Sequence, residues 1–315
     1  EISCSLVGSE MCIRDSGRER IWTSRPFFSP TSMGYWAGRR ERSGWPRSTP
    51  RTETISNGKE EETMIHFIGA GPGAADLITV RGARLLREAD VIIYAGSLVN
   101  PALLENKKED CAVYDSASMT LEDVIDVMKA TEASGGTTVR LHTGDPSLYG
   151  AIREQMDRLD ELEIAYDVTP GVSSFSGAAA ALEAEYTLPE VSQSVIITRM
   201  AGRTPVPERE KLSKMASHGC TMVLFLSTGL LEDVERELME GGYEPDTPAA
   251  IVYKATWPEQ RVYRCTVSTL ARTAKENQVT KTALITVGGF LSGQYERSKL
   301  YDPGFTHGYR VGNES

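Results

Sequence analysis

A short turn of small and polar residues, Thr143-Gly144-Asp145-Pro146-Ser147, follows an apolar stretch at 137–142. The apolar stretch predicts a strand, and ligands of open α/β sheets bind outside the carboxyl ends of the strands. Gly144 would let a ligand lie against bare backbone. Asp145 could accept a hydrogen bond from a ligand amino group, or its carboxylate could instead close the turn by accepting bonds from nearby backbone N–H groups. The turn is therefore the first candidate for the floor of a binding site.

Two other loops of the same kind follow predicted strands. Met64–Gly69 leads into Gly69-Ala70-Gly71-Pro72-Gly73-Ala74, and a strand at 164–168 leads into Thr169-Pro170-Gly171-Val172-Ser173-Ser174. The first loop fits the relaxed dinucleotide fingerprint G-x-G-x-x-G/A. However, the next helix begins only near Thr79, and no acidic residue ends the second strand to bind a ribose hydroxyl. These departures disfavour a nicotinamide or flavin enzyme and leave a tight structural turn as the alternative.

Residue types that serve other chemistries are scattered along the chain. The sequence shows no Ser-His-Asp or Cys-His arrangement and no paired carboxylates, and it identifies no catalytic base. The five cysteines include no Cys-x-x-Cys pair, and the four histidines have no metal-ligand spacing. We therefore expect neither a metal site nor a disulfide framework, and the cysteine pattern suits a reducing compartment.

Alternating strands and helices must position these loops. In the first half, apolar stretches of strand length alternate with helical periodicity, which predicts an α/β fold with a mainly parallel sheet and helices on both faces. Strands are predicted at 64–69, 91–94, 137–142 and 164–168, and helices at 79–88, 121–133, 147–159 and 177–183. The pattern restarts near 185–191. The second half has predicted strands at 194–199, 221–226, 249–253, 261–265 and 283–287, with helices at 208–216, 230–240 and 267–276.

Composition divides the chain into four segments. Residues 1–63 lack a sustained period, and Ser3–Asp15 resembles translated sequencing-adapter sequence; the nine acidic residues of 1–63 disfavour a transit peptide. We expect a spurious or disordered extension there, with Met64 as the true start. One α/β domain is predicted at 64–186, a second at 187–301 and a peripheral tail at 302–315.

Charge and hydropathy disfavour two kinds of partner. The net charge of −10 disfavours nucleic acid, whose binding depends on Lys and Arg contacts to phosphate. No apolar run approaches the roughly 18 residues that span a bilayer. We expect a cytoplasmic protein that binds neither nucleic acid nor membrane.

The three glycine loops together resemble a known superfamily. Gly69-Ala70-Gly71-Pro72-Gly73, Gly144-Asp145-Pro146 and Pro170-Gly171-Val172-Ser173-Ser174 stand in the order and spacing of the tetrapyrrole (corrin/porphyrin) methyltransferases. Within that superfamily, three stretches resemble the precorrin-4 C-11 methyltransferase branch of cobalamin biosynthesis: Tyr94–Pro101, Thr198–Pro207 and Tyr253–Pro258. The resemblance covers Met64 to about Tyr301.

The resemblance implies two α/β domains with a cleft for S-adenosylmethionine between them, and a homodimer. The implied reaction is transfer of the cofactor's methyl group to a ring carbon, which needs alignment rather than a protein nucleophile. Superfamily relatives often have a second glycine where Thr143 stands and methionine where Leu226 stands. The implied cofactor contacts are Pro72, Thr143, Gly144, Asp145, Leu148, Ser173, Ser174, Leu226 and Ala255.

A precorrin carries several carboxylates, so an acidic protein needs local cations to bind it. Arginine's planar fork suits carboxylates, although solvated surface arginines are the alternative. Aromatic or polar residues at strand ends could contact the macrocycle, or they could equally serve as packing or capping groups. The substrate-contact candidates are Arg199, Arg203, Lys254, Tyr94, Asn100 and Tyr149.

Two other function classes stay open. Another methyltransferase of the same fold could act on a different precorrin carbon or on a non-tetrapyrrole substrate, although the net charge disfavours RNA. A cofactor-binding protein without catalysis is the other class. The motifs in combination favour the C-11 reaction.

Overall fold

The computed structural model describes residues 64–313. Its first half contains strands β1 (Ile65–Gly69), β2 (Val91–Tyr94), β3 (Ala112–Asp115), β4 (Thr138–His142) and β5 (Tyr166–Thr169). They form one parallel sheet in the order β3-β2-β4-β1-β5. In the register, Gly69 lies beside His142 and Ile68 beside Thr169. The loops that follow β1, β4 and β5 therefore leave the sheet side by side at one edge.

Three helices cover the two faces of this sheet: α1 (Val80–Glu88), α2 (Leu121–Ala133) and α3 (Arg153–Glu161). The Thr79 side chain caps α1 by accepting from the Gly82 N–H, and Thr120 and Asp123 form a capping box at the start of α2. Leu85 and Leu86 of α1 pack on one face of the sheet, and apolar side chains of α2 and α3 pack on the other. The predicted helices 79–88 and 121–133 are confirmed.

The prediction that a helix begins near Ser147 is wrong. Tyr149 and Ala151 have φ of 57° and 50°, in the left-handed region, so no helix can run through them and α3 begins at Arg153. Strand β3 was not predicted; it is only four residues long, Ala-Val-Tyr-Asp, and all four are exposed at the sheet edge.

The helix after β5 joins the two halves of the fold. This helix, α4 (Ser174–Leu182), begins three residues before the predicted start at 177. Its buried Ala178 and Leu182 pack with Val223, Ala250 and Val252 of the second sheet. Small side chains on α4 allow this close approach.

The second sheet is built from β6 (Val195–Arg199), β7 (Thr221–Phe225), β8 (Pro248–Tyr253), β9 (Arg261–Thr266) and β10 (Ala283–Val287), in the order β6-β7-β10-β8-β9. Among the hydrogen-bonded neighbours in this sheet, only the pair β6 and β7 is parallel; the other three pairs are antiparallel. Three helices pack on the face opposite α4: α5 (Leu212–Ala216), α6 (Leu231–Glu240) and α7 (Leu270–Glu276). The predicted helix at 208–216 is therefore too long, because Glu208–Glu210 forms a separate 3-10 turn.

The direction of β10 matters for the site. Since β10 is antiparallel to β7 and β8, with Ala283 beside Tyr253, it begins at the edge where those two strands end. Residues just before β10 therefore share that edge with residues just after β7 and β8.

Within residues 64–313, no helix is long and apolar enough to cross a membrane, and no group of three His, Cys, Asp or Glu side chains could hold a metal ion. The predicted extension at 1–63 lies outside the described residues. The tail from Lys299 belongs to a separate unit, in which Lys299–Tyr301 forms a 3-10 turn and His307 pairs with Arg310 in an isolated bridge.

Candidate functional site

Backbone contacts bring the three glycine loops together. The Gly71 N–H donates to the Gly144 carbonyl over 3.2 Å, and the Gly144 N–H donates back to the Gly71 carbonyl over 2.9 Å. A Cβ at position 171 would lie 2.1 Å from the Gly144 carbonyl oxygen, so only glycine fits there. The loops after β1, β4 and β5 thus form one compact floor of main chain.

The carboxylate of Asp145 closes this floor. One oxygen accepts from the Gly171 N–H at 2.8 Å, and the other accepts from the Ser147 N–H at 2.9 Å and from the Ser147 hydroxyl. Burial raises the pKa of Asp145, but the hydrogen bonds from Ser147 and Gly171 outweigh burial and hold this pKa below its usual value. Of the two roles open to Asp145, the geometry supports turn closure; contact with a cofactor stays a prediction.

The first glycine loop is also attached to the second half of the fold. The Ala74 N–H donates to the Thr256 hydroxyl at 3.0 Å, and the Asn100 amide donates to the Gly73 carbonyl at 2.9 Å. The Trp257 indole lies directly against Gly73. The contacts with Thr256 and Trp257 hold the glycine loop against the turn after β8, whereas Asn100, which follows β2, fixes the loop within the first half of the fold.

A cavity of about 410 Å³ opens beside the loops. Its volume lies in the roughly 300–1,000 Å³ range of small-molecule sites. The first half contributes residues from the loops after β1, β2, β4 and β5, and the second half contributes the ends of β7 and β8 and the start of β10. Leu226, just after β7, lines the cavity, is 69% exposed and has a left-handed φ of 52°, a region that residues with a side chain rarely enter. The described lining includes no carboxylate, imidazole or thiol.

A family model described as tetrapyrrole (corrin/porphyrin) methylases matches residues 64–271. The chain belongs to this family. It is 52% identical over 252 residues to cobalt-precorrin-4 C(11)-methyltransferase of Methanocaldococcus jannaschii, covering 80% of this chain and 97% of that one. It is 44% identical over 239 residues to precorrin-4 C(11)-methyltransferase of Mycobacterium tuberculosis, covering 75% and 95%. A solved structure of cobalt precorrin-4 methyltransferase superposes with a TM-score of 0.71 at 46% identity, covering 72% of this chain and 95% of that one.

Membership of the tetrapyrrole methylase family confirms the predicted fold class and the resemblance. The structure brings five of the nine predicted cofactor contacts to the cavity wall: Pro72, Thr143, Ser174, Leu226 and Ala255. The other four lie in or behind the loops rather than on the wall: Gly144, Asp145, Leu148 and Ser173. Ser173 is 7% exposed, and its carbonyl accepts from the N–H groups of Ser176 and Gly177 in the first turn of α4.

Lys254 is the one predicted substrate contact of this methylase that lines the cavity. Its ammonium lies 3.2 Å from a Glu259 carboxylate oxygen and 5.3 Å from the centroid of the Trp257 ring. The lysine is therefore held at the wall by a carboxylate and an aromatic face.

The two predicted arginine anchors differ in their surroundings. The Arg199 guanidinium donates to the carbonyls of Met200, Thr204 and Pro205, so it holds the loop after β6. Arg203, inside that loop, is exposed and has no hydrogen-bond or ion-pair partner among residues 64–313. Of these two arginines, Arg203 is the one whose guanidinium N–H groups are not engaged by other residues of 64–313 and are therefore available to a substrate.

The other three predicted substrate contacts have structural partners. Asn100 caps the 3-10 turn Pro101–Leu104 by accepting from the Ala102 N–H, besides bracing Gly73. Tyr94 is half-buried against the apolar cluster under α1. Tyr149 is 47% exposed, and its ring centroid lies 5.4 Å from that of Phe225.

Sequence reasoning missed several lining residues of the cavity. Ser97, Leu98 and Trp257 follow strands β2 and β8 within stretches that carry the family resemblance, so strand-end position could have identified them. Residues 280–282 precede β10, and nothing in the sequence indicates that β10 begins at this edge.

Proposed function

We propose that this chain transfers a methyl group from S-adenosylmethionine to carbon 11 of precorrin-4 or of cobalt-precorrin-4 in cobalamin biosynthesis. The cavity carries the proposal, because five of the nine predicted cofactor contacts, from both halves of the fold, line it in a chain 44–52% identical to enzymes named for this reaction.

The residues at the cavity wall fit the proposed cofactor. Leu98, Val252 and Leu284 offer apolar surface for a purine ring, whereas hydroxyl groups of the lining could bond the ribose and the methionine portion. The floor of loop backbone lets a ligand approach N–H and carbonyl groups closely. We propose that Pro72, Thr143, Ser174, Leu226 and Ala255 hold the cofactor directly. Gly144, Asp145, Leu148 and Ser173 would shape the loops from behind or offer main-chain groups.

When bound, S-adenosylmethionine supplies a methyl group that its positive sulfur already activates. The chain then needs no nucleophile of its own. This agrees with the residues among 64–313 that line the cavity, none of which carries a carboxylate, imidazole or thiol group. The work of the lining residues is to hold the reacting carbon in line with the methyl group and to keep water out.

The substrate contacts are proposals of the same kind. Arg203 would bind a substrate carboxylate, while Arg199 holds the loop that carries it. The Lys254 ammonium would bind a substrate carboxylate at the cavity wall. The side chains of Tyr94, Asn100 and Tyr149 would contact the macrocycle. Local cations of this kind let a chain of net charge −10 bind a polycarboxylate.

We further propose a cytoplasmic homodimer with α/β domains at 64–186 and 187–301. The cytoplasmic location rests on the cysteine pattern of the sequence, in which five scattered cysteines include no Cys-x-x-Cys pair. The homodimer rests on the superfamily resemblance. Light scattering coupled to size-exclusion chromatography tests it, and a monomeric mass at micromolar concentration would contradict it.

The test of the function is a methyl-transfer assay on the full chain. Radiolabelled S-adenosylmethionine is incubated with precorrin-4, with and without cobalt, and the product is examined by NMR. Label at carbon 11 supports the proposal, and the preferred form identifies the natural substrate. Transfer to another carbon would favour a neighbouring methyltransferase, and cofactor binding without transfer to either form would favour a non-catalytic role.

A further inference from the structure

A buried polar pair lies at the centre of the first sheet, away from the cavity wall. Arg140 on β4 is 7% exposed, and Gln155 in the first turn of α3 is 6% exposed. The Arg140 Nε donates to the Gln155 Oε1 over 3.1 Å, and the Arg140 Nη1 donates to the Ile93 carbonyl over 3.2 Å. Burial lowers the pKa of Arg140 to about 10, so the guanidinium stays charged at neutral pH. A buried charge is costly to keep, and the methyl-transfer chemistry makes no use of this one.

The nitrogen of the Gln155 side-chain amide bonds to the segment that precedes α3. Its Nε2 donates to the Ala151 carbonyl over 2.9 Å. Because an arginine only donates and a carbonyl only accepts, the oxygen and the nitrogen of the amide are both assigned by their partners. Arg140, Gln155 and Ala151 therefore form one directed chain of hydrogen bonds from the middle of β4 to the segment before α3.

That segment, Tyr149–Ala151, has a backbone that needs support. Tyr149 and Ala151 both lie in the left-handed region, with φ of 57° and 50°. Residues with a side chain enter this region rarely, and they remain there only where the surroundings hold them. The bond from Gln155 to the Ala151 carbonyl is such a restraint.

The segment also spans from the first half of the fold to the rim of the cavity. Tyr149 contacts Phe225, which is the last residue of β7 and lines the cavity. Burial raises the pKa of Tyr149, while the positive charge of Arg199 acts to lower it, so Tyr149 also lies within electrostatic reach of the loop that carries Arg203. The position of Tyr149 thus affects both the cavity rim and the candidate anion-binding loop.

We propose that Arg140 and Gln155 are positioning residues for the tetrapyrrole substrate: they hold Tyr149–Ala151 so that Tyr149 stays against Phe225 at the cavity rim. This inference rests on the proposed function for its substrate and on the hydrogen-bond chain for its geometry. We expect substrate binding to depend on these hydrogen bonds more than cofactor binding does, because Arg140, Gln155 and Ala151 lie off the cavity wall and act only through Tyr149 at its rim.

The decisive variant is Gln155→Glu. A carboxylate still accepts from Arg140, so the buried charge keeps its partner, but it cannot donate to the Ala151 carbonyl. Gln155→Met removes both bonds and serves as the second variant. Glu161→Gln, at an exposed position of the same helix, is the matched control.

For Gln155→Glu we expect a rise of about tenfold in KM for the tetrapyrrole, with the dissociation constant for S-adenosylhomocysteine changed less than twofold. Hydrogen exchange of a peptide covering 147–152 should become faster, while the unfolding temperature stays within a few degrees of wild type. Combined with Tyr149→Ala, Gln155→Glu should raise KM no further than Tyr149→Ala alone. An unchanged KM, or effects on KM that multiply in the double variant, would overturn the proposal.

Hydrogen exchange separates this proposal from the proposed function. If the wild-type chain transfers no methyl group to either form of precorrin-4, the proposed function fails, while faster exchange at 147–152 in Gln155→Glu still supports the restraint on the segment. Unchanged exchange in Gln155→Glu overturns the restraint whatever the activity. If Gln155→Met does not fold, Gln155→Glu decides alone.

Discussion

The Trp257 indole occupies the space where a side chain on Gly73 would lie: a Cβ at position 73 would be 2.1 Å from the Trp257 Cδ1 atom. Gly73 belongs to the loop after β1, and Trp257 to the turn after β8, so this contact joins the two halves of the fold. Trp257 also lines the cavity, together with Lys254, whose ammonium lies over its ring. The absence of a side chain at Gly73 therefore leaves room for the indole of Trp257, which stands 184 positions further along the chain.

Gly73→Ala is expected to displace Trp257 and to weaken cofactor binding at least tenfold. The added methyl group also clashes with the Ala255 carbonyl, 2.8 Å from the same Cβ position, and overpacking of this kind costs about 1–3 kcal/mol of unfolding free energy. Isothermal titration with S-adenosylhomocysteine and thermal unfolding measure the two effects. Gly308→Ala, where nothing lies within 4 Å of an added Cβ, is the matched control. Equal affinities of wild type and Gly73→Ala would show that Trp257 is not part of the site.

Asp145→Asn is expected to lower stability more than cofactor affinity. The amide group cannot accept all the bonds that the carboxylate accepts from Gly171 and Ser147, and an unpaired donor at this part-buried turn costs about 1 kcal/mol. Because both oxygens are already engaged, we expect the affinity for S-adenosylhomocysteine to change less than fivefold. A hundredfold loss of affinity at unchanged stability would instead make Asp145 a direct ligand of the cofactor.

The stabilisation by Asp145 also has a predictable pH dependence. Its pKa is lower in the folded chain than the ordinary value of 3.8, so the folded state favours the ionised form. The contribution of the ionised Asp145 carboxylate to the unfolding free energy is fully present above pH 4 to 5, and it is lost as the pH falls through the folded-state pKa. The difference in unfolding free energy between wild type and Asp145→Asn should therefore shrink on going from pH 7 to pH 3 in urea titrations. A difference that does not change with pH would contradict this account.

The two arginines of the loop after β6 should respond differently to substitution. Arg203→Ala is expected to raise KM for the tetrapyrrole about tenfold, equivalent to about 1.4 kcal/mol, at unchanged unfolding temperature, because its guanidinium has no partner in the described chain. Arg199→Ala removes the bonds to Met200, Thr204 and Pro205 and should lower stability as well as raise KM. Arg209→Ala, which removes only a surface ion pair, is the control. Loss of stability in Arg203→Ala, or an unchanged KM there, would show that these roles are misassigned.

His142 makes a separate contribution to acid sensitivity. Burial, and secondarily the charge of Arg140, lowers the pKa of His142 to about 3, and its buried Nε2 has no hydrogen-bond partner. Between pH 6.5 and pH 3 the unfolded chain binds a proton at this residue that the folded chain does not, so stability rises with pH in that window. His142→Phe preserves stacking on Phe67. In this variant, the rise in unfolding free energy from pH 5 to pH 7 should be about 2 kcal/mol smaller than in wild type. Parallel pH dependences of wild type and His142→Phe would contradict this prediction.

The sequence by itself determined the α/β class, the three glycine loops and the family. Period-two and helical patterns are local, so most strands and helices could be placed from them, and glycine and proline at strand ends mark loops that approach a ligand. The nine cofactor contacts were implied by the family resemblance rather than by these patterns, and five of them line the cavity. Where local backbone departs from the pattern, as at Tyr149 and Ala151, the prediction of α3 began too early.

Only the tertiary structure decided which partners the polar side chains have. The bond from Ala74 to Thr256 and the bond from Asp145 to Gly171 join residues far apart in sequence, and no periodicity reports such pairs. Strand direction is equally invisible in an apolar pattern, so the antiparallel course of β10, which brings residues 280–282 to the cavity, could not be predicted. Periodicity tells which face of a strand is buried, whereas direction and hydrogen-bond partners are settled only when the sheets assemble.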